Sequence, residues 1–152
     1  MYVFRIANQI HIHDLSGEGA RIYGGRWNRK GTNVLYTAES RSLAMLEFLV
    51  HLPQTIVPKN FLIAKISIPD NVTIEQIDIK KLPQGWSNYP APLALSQIGE
   101  QWIRDNQTLL LKVPSSIVKN EWNILINPKH KQFNKIKLID TEPVLFDSRL
   151  LK

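Results

Sequence analysis

The chain contains no cysteine, which excludes a disulfide framework and removes the thiol from the list of nucleophiles and metal ligands. It also has no apolar run near the roughly 18 residues that a membrane-crossing helix needs. The richest stretch, Leu43 to Leu52, is broken by Glu47 and His51. No repeat, low-complexity tract or linker interrupts the 152 residues, so a single domain over residues 1–152 is expected, large enough to bury a real core. The opening Met1-Tyr2-Val3-Phe4-Arg5 has neither the charged start nor the apolar block of a signal peptide, and the expected address is cytoplasmic, with no membrane partner. Apolar residues make up 43% and charged residues 21%, proportions that exclude wholesale disorder.

What is present in excess is positive charge. Nineteen Lys and Arg stand against thirteen Asp and Glu, giving +6. The excess is greater in the second half, where Lys129, Lys131, Lys135 and Lys137 form a strip beside His130. Such a strip is read either as a solvated face or as the landing point of an acidic partner. It lacks interleaved aromatics and any recognisable module, so direct contact with nucleic acid is not favoured.

Apolar alternation predicts strands over Tyr2–Ile6, Val34–Ala38, Phe61–Ile68, Val72–Ile77 and Thr108–Val113, then short ones at Asn123–Ile126, Ile136–Ile139 and Val144–Phe146. Ser40 stands at an N-cap position before a helix expected over Arg41–Leu52 and stopped by Pro53. A weaker helix, with an internal Gly99, is expected from Leu93 to Arg104. The polar segment from Asp14 to Gly25 reads as a functional loop. About eight strands and two helices without βαβ alternation define an α+β class.

Several residues could carry chemistry. Five of the seven glycines fall between Gly17 and Gly31, around Gly24-Gly25-Arg26-Trp27-Asn28. Glycine serves sharp turns and close approach to a ligand, and an Arg there can offer its planar fork to a phosphate. The spacing is neither a dinucleotide fingerprint nor a P-loop, so a structural turn and an anion-binding loop both remain open. Glu47 lies in a helix that is apolar almost all round, one turn from His51. It belongs either to a solvent stripe or to a partly desolvated site suited to developing positive charge. Tyr36 precedes that helix by a short turn and can be a core residue or reach the same place. Ser115-Ser116 is in isolation an ordinary strand end. His11-x-His13 has no third ligand at a sensible spacing, and no metal is expected.

Taken in order, these residues resemble the RES domain. The likeness runs through Phe4-Arg5-Ile6, Ser16-Gly17-Glu18-Gly19-Ala20-Arg21, Gly24-Gly25-Arg26-Trp27-Asn28, Gly31, Val34-Leu35-Tyr36-Thr37-Ala38 and Leu43-Ala44-Met45-Leu46-Glu47. It continues with Ile98-Gly99-Glu100-Gln101-Trp102, Val113-Pro114-Ser115-Ser116, Asn123 to His130 and Phe146-Asp147-Ser148-Arg149-Leu150. Arg29-Lys30 depart from the family, which often has a small residue and a proline there.

The resemblance implies a toxin of a bacterial toxin–antitoxin pair that depletes NAD by splitting its nicotinamide-ribose bond, with water or inorganic phosphate as acceptor. It implies a mixed-sheet core with few helices, similar to ADP-ribosyltransferase toxins, with a cleft for NAD. By position, the name-giving Arg, Glu and Ser match Arg26, Glu47 and Ser115, with Ser116 one residue away. Tyr36 matches a site tyrosine, and Arg5 stands where a further NAD contact is expected. NAD is then substrate rather than cofactor, the protein partner is an Xre-like antitoxin, and a homo-oligomer is left open. Rival readings are a mono-ADP-ribosyltransferase acting on a protein, a nucleic-acid-directed toxin using the lysine strip, and an inactive partner-binding protein.

Overall fold

A computed structural model describes residues 1–55 and 57–151. Its described strands are β1 (Tyr2–Asn8), β2 (Leu35–Ala38), β3 (Phe61–Ser67), β4 (Ile74–Gln76), β5 (Leu110–Pro114), β6 (Trp122–Ile126) and β7 (Lys137–Pro143). They form one mixed sheet in the order β4-β5-β6-β2-β1-β3-β7, in which only β4 and β5 run parallel. The helices are α1 (Glu18–Tyr23), α2 (Arg41–Leu49) and α3 (Leu93–Asp105). The α+β class with a mixed-sheet core and few helices is therefore observed.

The sheet has a narrow seam at its centre. β1 pairs with β3 along its whole length, from Tyr2 opposite Ser67 to Asn8 opposite Phe61, but is registered with β2 only where Phe4 faces Ala38. Period-two alternation then sorts the core. Val3, Leu35, Ala64, Ile66, Ile124 and Ile126 share one cluster. The intervening residues face the helices: Leu111, Val113 and Leu125 pack with Leu95 and Trp102 of α3, while Phe4, Ala38 and Ile63 pack with Leu43 and Ala44 of α2. α2 thus lies across the seam.

Local signals explain most boundaries. The Ser40 side chain accepts the Leu43 N–H and caps α2 as expected. That helix ends at Leu49 rather than Leu52, because Leu52 N–H and His51 N–H bond three residues back and tighten the last turn. The segment from Asp14 to Gly25 is not a loop throughout, since α1 occupies its second half. Gly17 at φ 73° turns the chain into it, Glu18 pairs with Arg21 one turn on, and the Gly24 N–H closes it on the Ala20 carbonyl. Val144–Phe146 forms no strand of its own. β7 extends to Pro143, and Val144 donates one last bond to the Phe61 carbonyl. Phe146 instead stacks on Phe48 of α2, ring centroids 5.7 Å apart.

The internal glycine of α3 has a steric reason. A Cβ at Gly99 would stand 1.8 Å from the Trp27 carbonyl oxygen, so only glycine lets the helix touch that backbone. Trp27 itself is 2% exposed, in the cluster beneath α3. Gly99→Ala is expected to force the two apart and lower stability by about 1–3 kcal/mol, read as a fall in the urea midpoint at constant slope.

Candidate active site

Glu47 follows Leu43 and Ala44 by one turn of α2 and so inherits their sheet-facing side. It is half-buried, whereas His51, one turn beyond, is exposed. Its Oε1 accepts two hydrogen bonds, from Ser115 Oγ at 2.9 Å and from Asn123 Nδ2 at 2.6 Å. Ser115 follows directly on β5, its N–H on the Glu121 carbonyl, and Asn123 sits near the start of β6, where it pairs with Val113 in the ladder. Among the described residues Oε2 has no hydrogen-bonding partner, and no fully buried side-chain oxygen or nitrogen is unsatisfied. Oε2 is therefore not sealed from solvent.

Ser115 is 5% exposed and its hydroxyl is saturated. It donates to Glu47 and accepts from the backbone N–H groups of Ile117 and Val118, each at 3.1 Å. A hydroxyl has one proton and two lone pairs, so Ser115 orients the carboxylate and retains no donor for a ligand. Ser116 is outside this network. Asn123 drew no attention as a functional residue in the sequence. The available sequence signal is a single amide at the head of the apolar run Ile124-Leu125-Ile126.

Arg26 approaches from the loop after α1. Its Nη1 donates to the carbonyls of Trp86 at 2.8 Å and Asn88 at 3.1 Å. Its remaining N–H groups have no partner among the described residues and, by the same argument from satisfaction, reach solvent. Burial lowers the guanidinium pKa, while the charge of Glu47 acts to raise it. The arginine and the carboxylate are thus near enough to feel one another.

Tyr36 holds the Arg26 loop from below. Its hydroxyl donates to Asn28 Oδ1 at 2.7 Å and accepts the Trp27 N–H at 3.0 Å. Asn28, 2% exposed, donates to the Ala20, Arg29 and Thr32 carbonyls and so folds the loop upon itself. From α3, Glu100 accepts the Arg29 N–H and the Thr32 hydroxyl, both at 2.8 Å. Only the backbone of Arg29 is used there, which accounts for the latitude in its side chain. A side chain at Gly25 would meet the Tyr36 hydroxyl at 2.8 Å. Burial pushes the Tyr36 pKa up strongly, against the opposing pull of the Trp27 N–H and Arg26.

The structure therefore gathers Arg26, Tyr36, Glu47 and Ser115. Arg5 is held apart from their hydrogen bonds, between Val3 and Ala7 on β1, where its Nη1 donates to the Asp14 carbonyl at 2.5 Å. Burial lowers its pKa and Asp14 raises it. Two surface hollows lie elsewhere. One, of about 360 Å³, is lined by Arg29, Glu100 and Arg104, and the other, of about 450 Å³, by Ile77, Lys80 and Trp122. His130 drops out of the lysine strip, since it is 4% exposed and its Nδ1 accepts the Gln132 N–H. That strip follows the far end of β6 from Asn123. No described helix is long and apolar enough to cross a membrane.

In this α+β fold a carboxylate oriented by Ser115 and Asn123 lies within electrostatic reach of an arginine held by the Trp86 and Asn88 carbonyls, an arrangement that suits a ligand carrying both charges. Comparison with known proteins gives the family. The RES domain model matches residues 2–147, and the chain belongs to the RES domain family. A Sphingobium protein named Prs ADP-ribosylating toxin is 43% identical, over 98% of this chain and 96% of its own. A Yersinia enterocolitica protein named Toxin Res is 39% identical over 99% of each. Among solved structures, a chain of the Mycobacterium tuberculosis MbcT–MbcA toxin–antitoxin complex superposes with a TM-score of 0.73 at 18% identity, covering 93% of this chain and 82% of that one. That likeness is one of fold.

Two outcomes follow from the network. Ser115→Ala removes all three hydrogen bonds of the hydroxyl and is expected to cost about 1–3 kcal/mol in denaturant. Tyr36 has a folded pKa above its ordinary 10.0, so the unfolded chain releases that proton first. Its contribution to stability is then full below pH 10 and lost as pH rises further. Thermal melts from pH 8 to 11 should show this loss, with a shallower slope in Tyr36→Phe.

Proposed function

We propose that this chain is the toxin of a toxin–antitoxin pair and that it destroys NAD by breaking the bond between nicotinamide and ribose. The observation that carries this reading is the pairing of Glu47, pinned through Oε1 and open at Oε2, with Arg26, committed through Nη1 and open along its other edge. NAD presents matching charges, a cationic nicotinamide ribose and an anionic pyrophosphate.

The chemistry needs little more. Breakage of the glycosidic bond leaves positive charge on the ribose, in a state like that of glycoside hydrolysis. Both bonding electrons go to the nicotinamide nitrogen, which departs neutral and needs no acid. Glu47 Oε2 stabilises the cationic sugar and orients the acceptor, and Arg26 holds the pyrophosphate bidentately. Arg5, buried at a cost and with one described hydrogen bond, is a second guanidinium that an anion would stabilise. Tyr36 positions the Arg26 loop and offers its ring edge to the ligand. Water as acceptor gives ADP-ribose, nicotinamide and a proton; inorganic phosphate gives the phosphorylated sugar instead. An Xre-like antitoxin is the protein partner in this reading.

One observation favours a second acceptor. A relative that is 43% identical bears the name Prs ADP-ribosylating toxin, so transfer to a protein side chain is the alternative. Purified chain incubated with NAD labelled in its adenosine part, with and without phosphate and with cell lysate, separates the three. Label in ADP-ribose, in its phosphate ester or on a protein band identifies the acceptor, and NAD intact in every tube overturns the proposal. Glu47→Gln and Arg26→Lys should each lower turnover by about a hundredfold or more while keeping the parental melting curve.

A further inference from the structure

We infer that Asn123 is a positioning residue of this site, whose side-chain amide fixes which oxygen of Glu47 meets the substrate. The inference rests on the reading of Glu47 given above. Of the two donors on Oε1, the Asn123 amide is the nearer, at 2.6 Å against 2.9 Å for Ser115. The two come from adjacent strands and converge on one oxygen, so the carboxylate cannot rotate about its last bond without breaking both. Ser115 is itself anchored by two backbone N–H groups. Asn123 is anchored by the ladder, where it pairs with Ala38 on one side and Val113 on the other.

The distinction matters because a carboxylate with both oxygens loose would spend part of its time turned toward solvent or toward Arg26. A hydrogen bond from a neutral amide holds it without adding charge beside the developing sugar cation. An ammonium or guanidinium in the same place would repel that cation, and an apolar side chain would leave Oε1 seeking another donor. Because Asn123 acts through the carboxylate, its effect should appear in turnover rather than in binding.

The test uses the full chain and NAD. Asn123→Leu keeps the size of the side chain and removes the donor. It is expected to lower kcat about ten- to a hundredfold, as loss of a hydrogen bond to a charged group does, with KM for NAD little changed. Asn123→Asp places a second carboxylate at hydrogen-bonding distance from Oε1; the charged groups around it are Arg26, which feels the Glu47 charge, the Lys112–Glu39 ion pair beside Trp122, and His51 one turn further along α2. When protonated, Asp at this position restores the donor; when ionised, it repels Glu47. Its kcat should therefore recover toward the parental value as pH is lowered, with an optimum displaced to the acid side by about one unit or more. A residue needed only for packing would give no such pH-dependent rescue. Parental kcat in Asn123→Leu, or superimposable pH profiles for the parent and Asn123→Asp, would overturn the inference while leaving the NAD reading intact. A parental chain that does not consume NAD overturns the reading and the inference with it.

Discussion

A single carboxylate oxygen, Oε1 of Glu47, adds a polar tie from α2 to β6 and to the turn after β5, strands already laddered to each other and, through β6, to β2. The apolar contacts of α2 are with β1, β2 and β3, through Phe4, Ala38 and Ile63, whereas the Oε1 of Glu47 reaches across to Ser115 and Asn123 on β5 and β6. Because β1 meets β2 at one registered pair only, the sheet has little backbone bonding at its centre. The helix over that seam, tied through Glu47 to Ser115 and Asn123 on one side and through Arg41 to Glu142 of β7 on the other, therefore helps set how the flanking halves present their ends to each other.

The opposite wall is built on the same logic, with backbone rather than side chain as the held object. The Arg26 loop contributes few apolar groups beyond Trp27, and it is fixed from three directions. Tyr36 binds it from the sheet, Glu100 from α3, and Asn28 from within. The close approach at Gly99 makes the α3 contact possible. α3 is in turn held at its C-terminal end, where Asn106 in a left-handed turn accepts a hydrogen bond from the fully buried Asn127. The blocks around Gly99-Glu100 and Asn127 thus act on Arg26 at one and two removes.

This explains which features could be read from the sequence. α2, with its Ser40 cap, and the strands with clear alternation follow from local rules, because cap and period are written in adjacent residues. α1 was hidden because two of its six residues are polar and charged partners and its bounds are glycines, a composition that belongs equally to loops. β7 reads in the sequence as two short strands, Ile136–Ile139 and Val144–Phe146, because the polar Asp140-Thr141-Glu142 and Pro143 between them carry no apolar alternation although they lie in the ladder. At the site, resemblance singled out Arg26, Glu47 and Ser115, but not their division of labour. That Ser115 is saturated and Asn123 converges on the same oxygen depends on the order β5-β6-β2, a long-range pairing that no local pattern encodes.

The arrangement also bears on what kind of bond can be broken here. Enzymes that cleave ordinary glycosides use two carboxyl groups, since an alcohol must be protonated as it leaves. Here Glu100, the carboxylate that faces the Arg26 loop from α3, has one oxygen on the Arg29 N–H and the other on the Thr32 hydroxyl, so it is engaged in structure. Tyr36 is held neutral by burial, with its proton given to Asn28. One available carboxylate with no partner acid fits a leaving group that is already cationic when bound and departs by becoming neutral. A nicotinamide ribose meets that condition and an ordinary glycoside does not, and this is the chemical argument for NAD in the proposed reading.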